Sequence, residues 1–283
     1  MMQQLLERYK RDLALRGFSD KTQKTYYRSL LHFLNGAPSG PYDITRENIK
    51  DYLYHLIRDR NLSESTLRQA RCAISYFFSQ TLGKSIEVEN IPCQKKTSKL
   101  PAVFSVDEVA RIINSTGNLK HRAMLMLAYS AGLRVGELVA LKVTDIRRNI
   151  MRISVRQAKG NKDRYTILSS VCLDCLEKYW KAYRPEGALF CGRGKSSPLS
   201  SRAAQHAFEK AKTKAGITRP GGIHSLRHSF ATHMLETGNG IFQLQKFLGH
   251  KHLKTTLVYA HISKENTIAR SPLDVYADKF ING

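Results

Sequence analysis

Residues 221–233 read GGIHSLRHSFATH. This stretch indicates both the local fold of the second part of the chain and the kind of ligand that it binds. Two glycines allow the backbone to turn sharply before a helix begins. His224 and Arg227 lie three residues apart, so on a helix they share one face of the first turn. The first turn of a helix carries unpaired N–H groups, which suit an anion such as a phosphate. The stretch therefore predicts a helix whose start faces a phosphate.

The histidines of this stretch also allow a rival interpretation. His224 and His228 have the i, i+4 spacing of a zinc-binding helix, but that motif needs Glu directly after the first histidine. Ser225 stands at that position. We therefore expect no metal site here, and we interpret His228 and His233 as packed or hydrogen-bonded histidines.

A second glycine turn occurs earlier, in AGLRVGEL at residues 131–138. Arg134 follows this turn at the predicted start of a helix, where its guanidinium and the helix amides suit the same phosphate. Glu137, three residues on, can orient that guanidinium. An Arg–Glu pair at this spacing is also typical of a surface salt bridge, so the motif alone leaves both interpretations open.

The hydrophobic period changes from helical to alternating after residue 150 and predicts a β-hairpin. Lys159 lies at its tip, close to Lys162 and Arg164. A lysine on such a tip can enter a DNA groove, reach a bridging oxygen and give a proton to a leaving alkoxide. A solvated turn lysine is the other interpretation.

The fourth informative stretch is LGHKHLKTTLVYAH at residues 248–261. His250 follows a glycine, and Tyr259 lies nine residues later. The chain has 13 tyrosines, and most tyrosines of such a protein lie in the core or at its rim. Tyr259 on its own would be interpreted in the same way.

The first part of the chain predicts a bundle of four helices over residues 1–91. Helical periodicity is interrupted by Gly17, by Asn35-Gly36 and before residue 63, and N-cap residues stand at the expected starts. We expect these caps at Ser19 or Asp20, Thr45 and Ser63.

Residues 92–101 predict a linker, because this polar stretch holds lysines and prolines and has no helical stripe. A second domain is expected over residues 102–283. It opens with the capping-box pattern of Ser105 and Glu108.

The charge indicates the kind of partner. The chain carries 46 Lys and Arg against 23 Asp and Glu, a formal charge of +23, while 42% hydrophobic residues exclude a disordered basic tail. Basic residues interleaved with Tyr and Phe favour a polyanion, and nucleic acid is the commonest in a cell. A basic surface without such a partner is the alternative.

The hydropathy pattern and the cysteine content favour a cytoplasmic protein. The chain shows neither the apolar run of a membrane span nor the features of a secretory signal, so we expect a cytoplasmic protein without a membrane partner. Five cysteines, an odd number, favour free thiols over a disulfide framework. Cys172 and Cys175 could form half a zinc site, but no second pair follows.

Taken together and in this order, the motifs resemble those of the tyrosine recombinase (phage integrase) family over essentially the whole chain. GLRVGEL, HSLRHSFATHML, LGH and TLVYAHI carry the resemblance. It implies a mainly α fold with a small β-sheet, in which a helical-bundle core-binding domain precedes a mixed α/β catalytic domain. The catalytic residues that it implies are Arg134, Lys159, His224, Arg227, His250 and the nucleophile Tyr259, with Glu137 in support.

The resemblance also implies the reaction: site-specific cleavage and rejoining of DNA through a covalent 3′-phosphotyrosyl bond, without ATP, metal ion or other cofactor. Arg134, Arg227 and His250 would meet the charge of the phosphate. His224 is the candidate base for the phenol, and Lys159 the proton donor for the leaving oxygen. A catalytically silent DNA-binding protein of the same fold and a topoisomerase-like enzyme are the rival functions.

The implied partners are double-stranded DNA and three further copies of the chain, a homo-tetramer on two DNA sites. A related recombinase or an accessory DNA-bending protein is a further candidate. Residues 265–283 would dock on a neighbouring protomer, or else fold onto their own domain. The length suits Xer-type recombinases and compact mobile-element integrases. An integron role is disfavoured because no insertion fits between residues 168 and 221, although the ending at residues 270–274 resembles that branch.

Overall fold

The computed structural model describes residues 2–60, 62–84, 86, 88, 100–158, 162–192, 197–260 and 262, with backbone only at 157, 158 and 162. The chain divides into two compact units, Met1–Ser98 and Lys99–Gly283. Lys159, most of the predicted linker and the C-terminal segment 265–283 lie outside the described residues.

The first unit contains the four predicted helices. Each of the last three begins after a hydroxyl side chain that accepts a hydrogen bond from the helix backbone, namely Ser19, Thr45 and Ser63. Their apolar faces enclose a core rich in aromatic rings, in which the Tyr9 hydroxyl donates to the Ala73 carbonyl at 3.0 Å. The helices are α1 (Met2–Leu15), α2 (Asp20–Asn35), α3 (Arg46–Arg58) and α4 (Glu64–Tyr76), the last continuing into a π-helical turn at Phe77–Thr81.

The second unit contains further helices around a small sheet, so the predicted fold class, mainly α with a small β-sheet, is confirmed. The predicted capping box of Ser105 and Glu108 opens the first of these helices. The helices are α5 (Val106–Asn114), α6 (Leu119–Ser130), α7 (Val135–Ala140), α8 (Ser170–Tyr183), α9 (Ser201–Lys214), α10 (His224–Glu236), α11 (Ile241–Leu248) and α12 (Leu253–Ala260).

The sheet is antiparallel with the strand order β1-β2-β3. Strands β2 (Arg152–Ala158) and β3 (Lys162–Ile167) form the predicted hairpin, with Val155 opposite Arg164. Strand β1 (Ile146–Arg147) was not predicted, because two residues are too short to show an alternating pattern.

Close packing at Gly132 brings the end of α6 against α10. Gly132 has φ +60°, and a Cβ there would lie 2.3 Å from the Phe230 ring, so only glycine fits this turn. The Thr166 hydroxyl of β3 donates to the Ala131 carbonyl at 2.9 Å, which fixes the sheet to the same turn. The turn therefore has one position relative to both β3 and α10.

Helix α10 is the central helix of this unit, because seven of its residues are buried around its circumference. Such burial means that its side chains meet several neighbouring helices at once. Across the described ranges, the structure has no helix that is both long and apolar enough to cross a membrane.

Candidate active site

The predicted catalytic residues that the structure describes surround Arg227, which is only 4% exposed. We call this group of residues the pocket. Arg227 Nη1 donates to the Gly132 carbonyl at 2.6 Å, and its Nη2 donates to the Leu248 carbonyl at 2.7 Å. Burial and the nearby Arg134 lower the pKa of Arg227 to about 10, which keeps the guanidinium charged at neutral pH. A fixed cation thus joins the α6–α7 turn to the end of α11.

His250 is held in one orientation by bonds at both ring nitrogens. Its Nε2 lies 3.1 Å from Arg227 Nη2, and its Nδ1 lies 3.0 Å from the Thr256 hydroxyl. Since a guanidinium only donates, Nε2 accepts and Nδ1 carries the proton, which it donates to the hydroxyl. Burial and the charges of Arg227, Arg134 and Arg164 lower the pKa of His250 to about 4, so its ring is neutral at pH 7.

Glu137 connects two arginines at the edge of the pocket. Its carboxylate accepts from Arg134 at both the backbone N (2.9 Å) and Nη1 (2.8 Å). It also accepts two hydrogen bonds from Arg164. Burial would raise the pKa of Glu137, but the bonds and charge of Arg164, together with the bonds from Arg134, outweigh it and hold the pKa at about 2. The predicted orienting contact is therefore present, and the Glu137 side chain is only 9% exposed.

Arg164 is a member of this network that the sequence did not single out. Its Nε donates to the Phe247 carbonyl at 2.9 Å, and a Cβ on Gly249 would lie 2.6 Å from its Cδ. The sequence holds one usable signal: Arg164 and Thr166 are two residues apart on the predicted strand and so share a face. The structure buries that face at Thr166.

The Tyr259 phenol lies in the same pocket, where it is 4% exposed. Its hydroxyl is 2.9 Å from His228 Nδ1, and its ring is stacked with that of His250 at a centroid distance of 6.4 Å and an angle of 12°. Burial raises the pKa of Tyr259 above its ordinary value, and the charges of Arg227 and Arg134 offset only part of this rise. The phenol is therefore within electrostatic reach of both arginines.

His224 stands at the exposed start of α10. Partial burial and the charges of Arg227 and Arg134 lower its pKa. Among the hydrogen bonds of residues 197–260, the phenol of Tyr259 bonds to His228 and not to His224. His228, which the sequence indicates only as packed or hydrogen-bonded, is thus the histidine that hydrogen-bonds to the hydroxyl of the predicted nucleophile.

The structure therefore brings together the predicted residues that it describes. Arg227 is hydrogen-bonded to His250, and Arg134 is hydrogen-bonded to Glu137. His224 interacts electrostatically with Arg227, Arg134 and Glu137. No cluster of three potential metal ligands occurs in the described part of the chain. Cys172, one of the two cysteines that could form half a zinc site, is buried on α8. Burial raises the pKa of its thiol to about 12.

Two family models match the chain. The model of the phage integrase family matches residues 102–266, and the model of the phage integrase N-terminal SAM-like domain matches residues 5–88. The first match spans more than half of the chain and includes every residue of the pocket described above.

Curated relatives align over almost the full length. The putative integrase/recombinase y4qK of Sinorhizobium fredii is 38% identical over 272 residues, covering 96% of this chain and 88% of the relative. Tyrosine recombinase XerD of Halalkalibacterium halodurans is 31% identical over 291 residues, covering 93% of this chain and 92% of the relative.

Solved structures have the same fold. A XerA recombinase is 25% identical with a TM-score of 0.54 and covers 100% of this chain and 99% of its own. A lambda integrase tetramer bound to a Holliday junction has a TM-score of 0.76 at 22% identity, covering 97% of this chain and 80% of its own, and this likeness concerns the fold. The resemblance indicated by the motifs is thus confirmed: the chain belongs to the phage integrase family, the tyrosine-type site-specific recombinases.

Proposed function

We propose that this protein cleaves and rejoins DNA at specific sites through a 3′-phosphotyrosyl bond to Tyr259, without ATP, a metal ion or another cofactor. The observation that carries the proposal is the burial of the Tyr259 phenol in the pocket of Arg227 and His250, within reach of the Arg134 charge. A backbone phosphate bound beside these arginines would lie next to the phenol.

The cations would supply what in-line attack on a phosphodiester requires. The diester carries a full negative charge, and attack places more charge on its equatorial oxygens, which fixed donors stabilise. Arg227 is held rigidly, while the Arg134 side chain is 29% exposed and so accessible to DNA. The Arg134 guanidinium can bind a phosphate through two nitrogens, whereas both hydrogens on Arg227 Nη2 are already donated to the Leu248 carbonyl and to His250. Arg227 would therefore act on the phosphate mainly through its charge.

The leaving group needs a proton, because an alkoxide leaves far less readily than a phenolate. We assign this proton to Lys159, which follows Ala158 in the sequence, from the family motif. The phosphotyrosyl bond conserves the free energy of the ester. A second DNA 5′ hydroxyl can therefore attack it and rejoin the strands, whereas a nuclease would use water.

The proposal includes an assembly. Four protomers would hold two duplex sites, as the lambda integrase tetramer holds a Holliday junction. Residues 1–91 would form a core-binding domain joined by the linker 92–101 to the catalytic domain 102–283. The segment 265–283 would contact a neighbouring protomer, and a related recombinase or a DNA-bending protein could complete the complex. A cytoplasmic location is part of the same proposal.

The test is covalent capture. Duplexes bound by the Tyr259→Phe protein are sequenced to define the site, and a nicked duplex carrying that site is then given to the wild-type protein. We expect an adduct of one protein and one DNA strand in a denaturing gel, which Tyr259→Phe abolishes. Tyr129→Phe is the matched control, because the Tyr129 hydroxyl makes a similar 2.9 Å bond to His233 outside the pocket.

The rival functions give different results. A catalytically silent DNA-binding protein would bind the site and give no adduct, and a topoisomerase-like enzyme would relax supercoiled DNA without site preference. The silent alternative is not favoured, because the arginines and the phenol stand in one pocket. An adduct that persists in Tyr259→Phe would exclude Tyr259 as the nucleophile.

A further inference from the structure

The hydrogen bond between Tyr259 and His228 joins two helices. Tyr259 comes from α12 and His228 from the second turn of α10, and the hydroxyl lies 2.9 Å from Nδ1. The two rings pack at a centroid distance of 5.8 Å with an angle of 40°. The imidazole therefore faces the one oxygen that must lose a proton before or during attack.

We propose that His228 is a catalytic residue of the recombinase, the general base that takes the phenolic proton of Tyr259. The inference rests on the proposed function, and it moves the role of base from His224 to His228. His224 is exposed and stands one turn earlier on the same helix.

The exclusion of solvent supports this assignment. Tyr259 is 4% exposed, so bulk water has little access to its hydroxyl. A proton leaving the phenol must then pass to a group within hydrogen-bond distance. A general base has to lie within about 2.6–3.2 Å of the proton donor, and His228 does so without any movement of α10.

The step balances in atoms and charge. The Tyr259 O–H bond breaks, its proton moves to Nδ1 of His228, and the phenolic oxygen forms a bond to phosphorus. The bond from phosphorus to the 5′ oxygen breaks, and that oxygen takes a proton from the general acid. In rejoining, the 5′ hydroxyl returns its proton to the general acid as its oxygen bonds to phosphorus. The bond from phosphorus to the phenolic oxygen breaks, and that oxygen takes back the proton from Nδ1.

The electrostatic surroundings are compatible with this role. The groups that face His228 are His224 and Arg227 on α10 and Tyr259 on α12, with His250 stacked against the tyrosine ring. Burial and the charges of His224 and Arg227 lower the pKa of His228 to about 4, so the ring is unprotonated and able to accept at neutral pH. A bound phosphodiester brings a negative charge that offsets Arg227 and favours the imidazolium.

A pair of substitutions separates a base from a positioning residue. In His228→Asn, the side-chain oxygen can take the place of Nδ1 and accept the same hydrogen bond, but it cannot take up the proton. His228→Phe loses both properties. We expect single-turnover cleavage of the nicked duplex to fall at least about 100-fold in both variants, with DNA binding retained. Recovery of cleavage to within about threefold of wild type in His228→Asn would overturn the proposal and leave a positioning role.

The control lies on the same helix. His233 bonds to the Tyr129 hydroxyl at 2.9 Å, with the rings 5.9 Å apart, and we expect His233→Asn to cleave at the wild-type rate. If His228→Asn fails to bind DNA or to fold, His228→Gln takes its place under the same criterion.

Two further measurements identify the missing step. Raising the pH supplies phenolate directly, so the ratio of wild-type to His228→Asn cleavage should fall up to tenfold per pH unit between pH 7 and 9; a constant ratio would contradict a base. A duplex with sulfur at the bridging 5′ position needs no proton on its leaving group, and it should not restore cleavage by His228→Asn.

An adduct in Tyr259→Phe would refute the proposed function itself, whereas full activity of His228→Asn beside an inactive Tyr259→Phe refutes only this inference.

Discussion

Arg164 donates two parallel hydrogen bonds to Glu137, from Nη1 to Oε1 at 2.9 Å and from Nη2 to Oε2 at 2.8 Å. Both side chains are almost fully buried, with exposures of 8% and 9%. The pair fixes the hairpin strand β3 to helix α7, and Glu137 in turn orients Arg134. Arg164, which is outside the predicted set, thus helps to determine through Glu137 where Arg134 lies.

Arg164→Lys should therefore destabilise the second unit by about 2 kcal/mol or more and slow cleavage. Lysine keeps the charge but cannot supply two parallel donors together with the bond to the Phe247 carbonyl. Urea unfolding monitored by the single tryptophan, Trp180, measures the change. Arg148→Lys is the control, because its bridge to Glu177 is exposed and should change stability by less than about 1 kcal/mol. Equal effects would argue against a structural role for the buried pair.

Acid should weaken the fold through Glu137. Its pKa of about 2 in the folded chain lies below the ordinary value of 4.5. The stabilisation is therefore complete above pH 4.5 and is lost as the pH falls toward 2, by on the order of 3 kcal/mol. Glu137→Gln lacks this titration, so its deficit in unfolding free energy should be largest at pH 6 and shrink toward pH 2.5. A deficit that does not change with pH would show that the carboxylate charge adds no stability.

Gly132→Ala should lower the free energy of unfolding by more than a glycine-to-alanine change at positive φ normally does. Replacing glycine by alanine at positive φ costs about 1 kcal/mol, and the clash with Phe230 should add about 1–3 kcal/mol. Cleavage should also fall, because the Gly132 carbonyl accepts a bond from Arg227. Gly238→Ala is the matched control, with φ +83° and no atom within 4 Å of the added Cβ. Thermal unfolding and single-turnover cleavage compare the two variants, and equal losses would contradict the close packing.

Arg134→Ala should reduce the rate of cleavage far more than the affinity for DNA. A cation at the reacting phosphate acts mainly on charge that develops in the transition state, whereas binding is shared among many phosphate contacts. We expect a loss of at least about 100-fold in single-turnover cleavage with less than about tenfold in dissociation constant. Gel mobility shift and adduct formation give the two quantities. Losses of equal size would place Arg134 away from the scissile phosphate.

The sequence was most informative where structure follows from local pattern. Helices α2, α3 and α4 begin at the predicted caps, because an N-cap bond involves residues only three positions apart. The contact of Arg134 with Glu137 has the same short spacing.

The remaining contacts join distant segments, which a local pattern does not encode. Arg164 reaches Glu137 across 27 residues, and Tyr259 reaches His228 across 31. Helical spacing places His224 and His228 on one face of α10 but says nothing about the element that packs there. The family resemblance favours His224 as the base, whereas the packing of α12 gives the hydrogen bond with Tyr259 to His228.

The two carbonyls that hold Arg227 belong to segments made at different times during synthesis. Gly132 precedes α10 in the chain, whereas Leu248 follows it. A ribosome-bound chain that has emerged only as far as α10 holds the arginine without its second anchor, and it has no phenol to use. The proposed cleavage of DNA would thus become possible only after α11 and α12 have been made and packed.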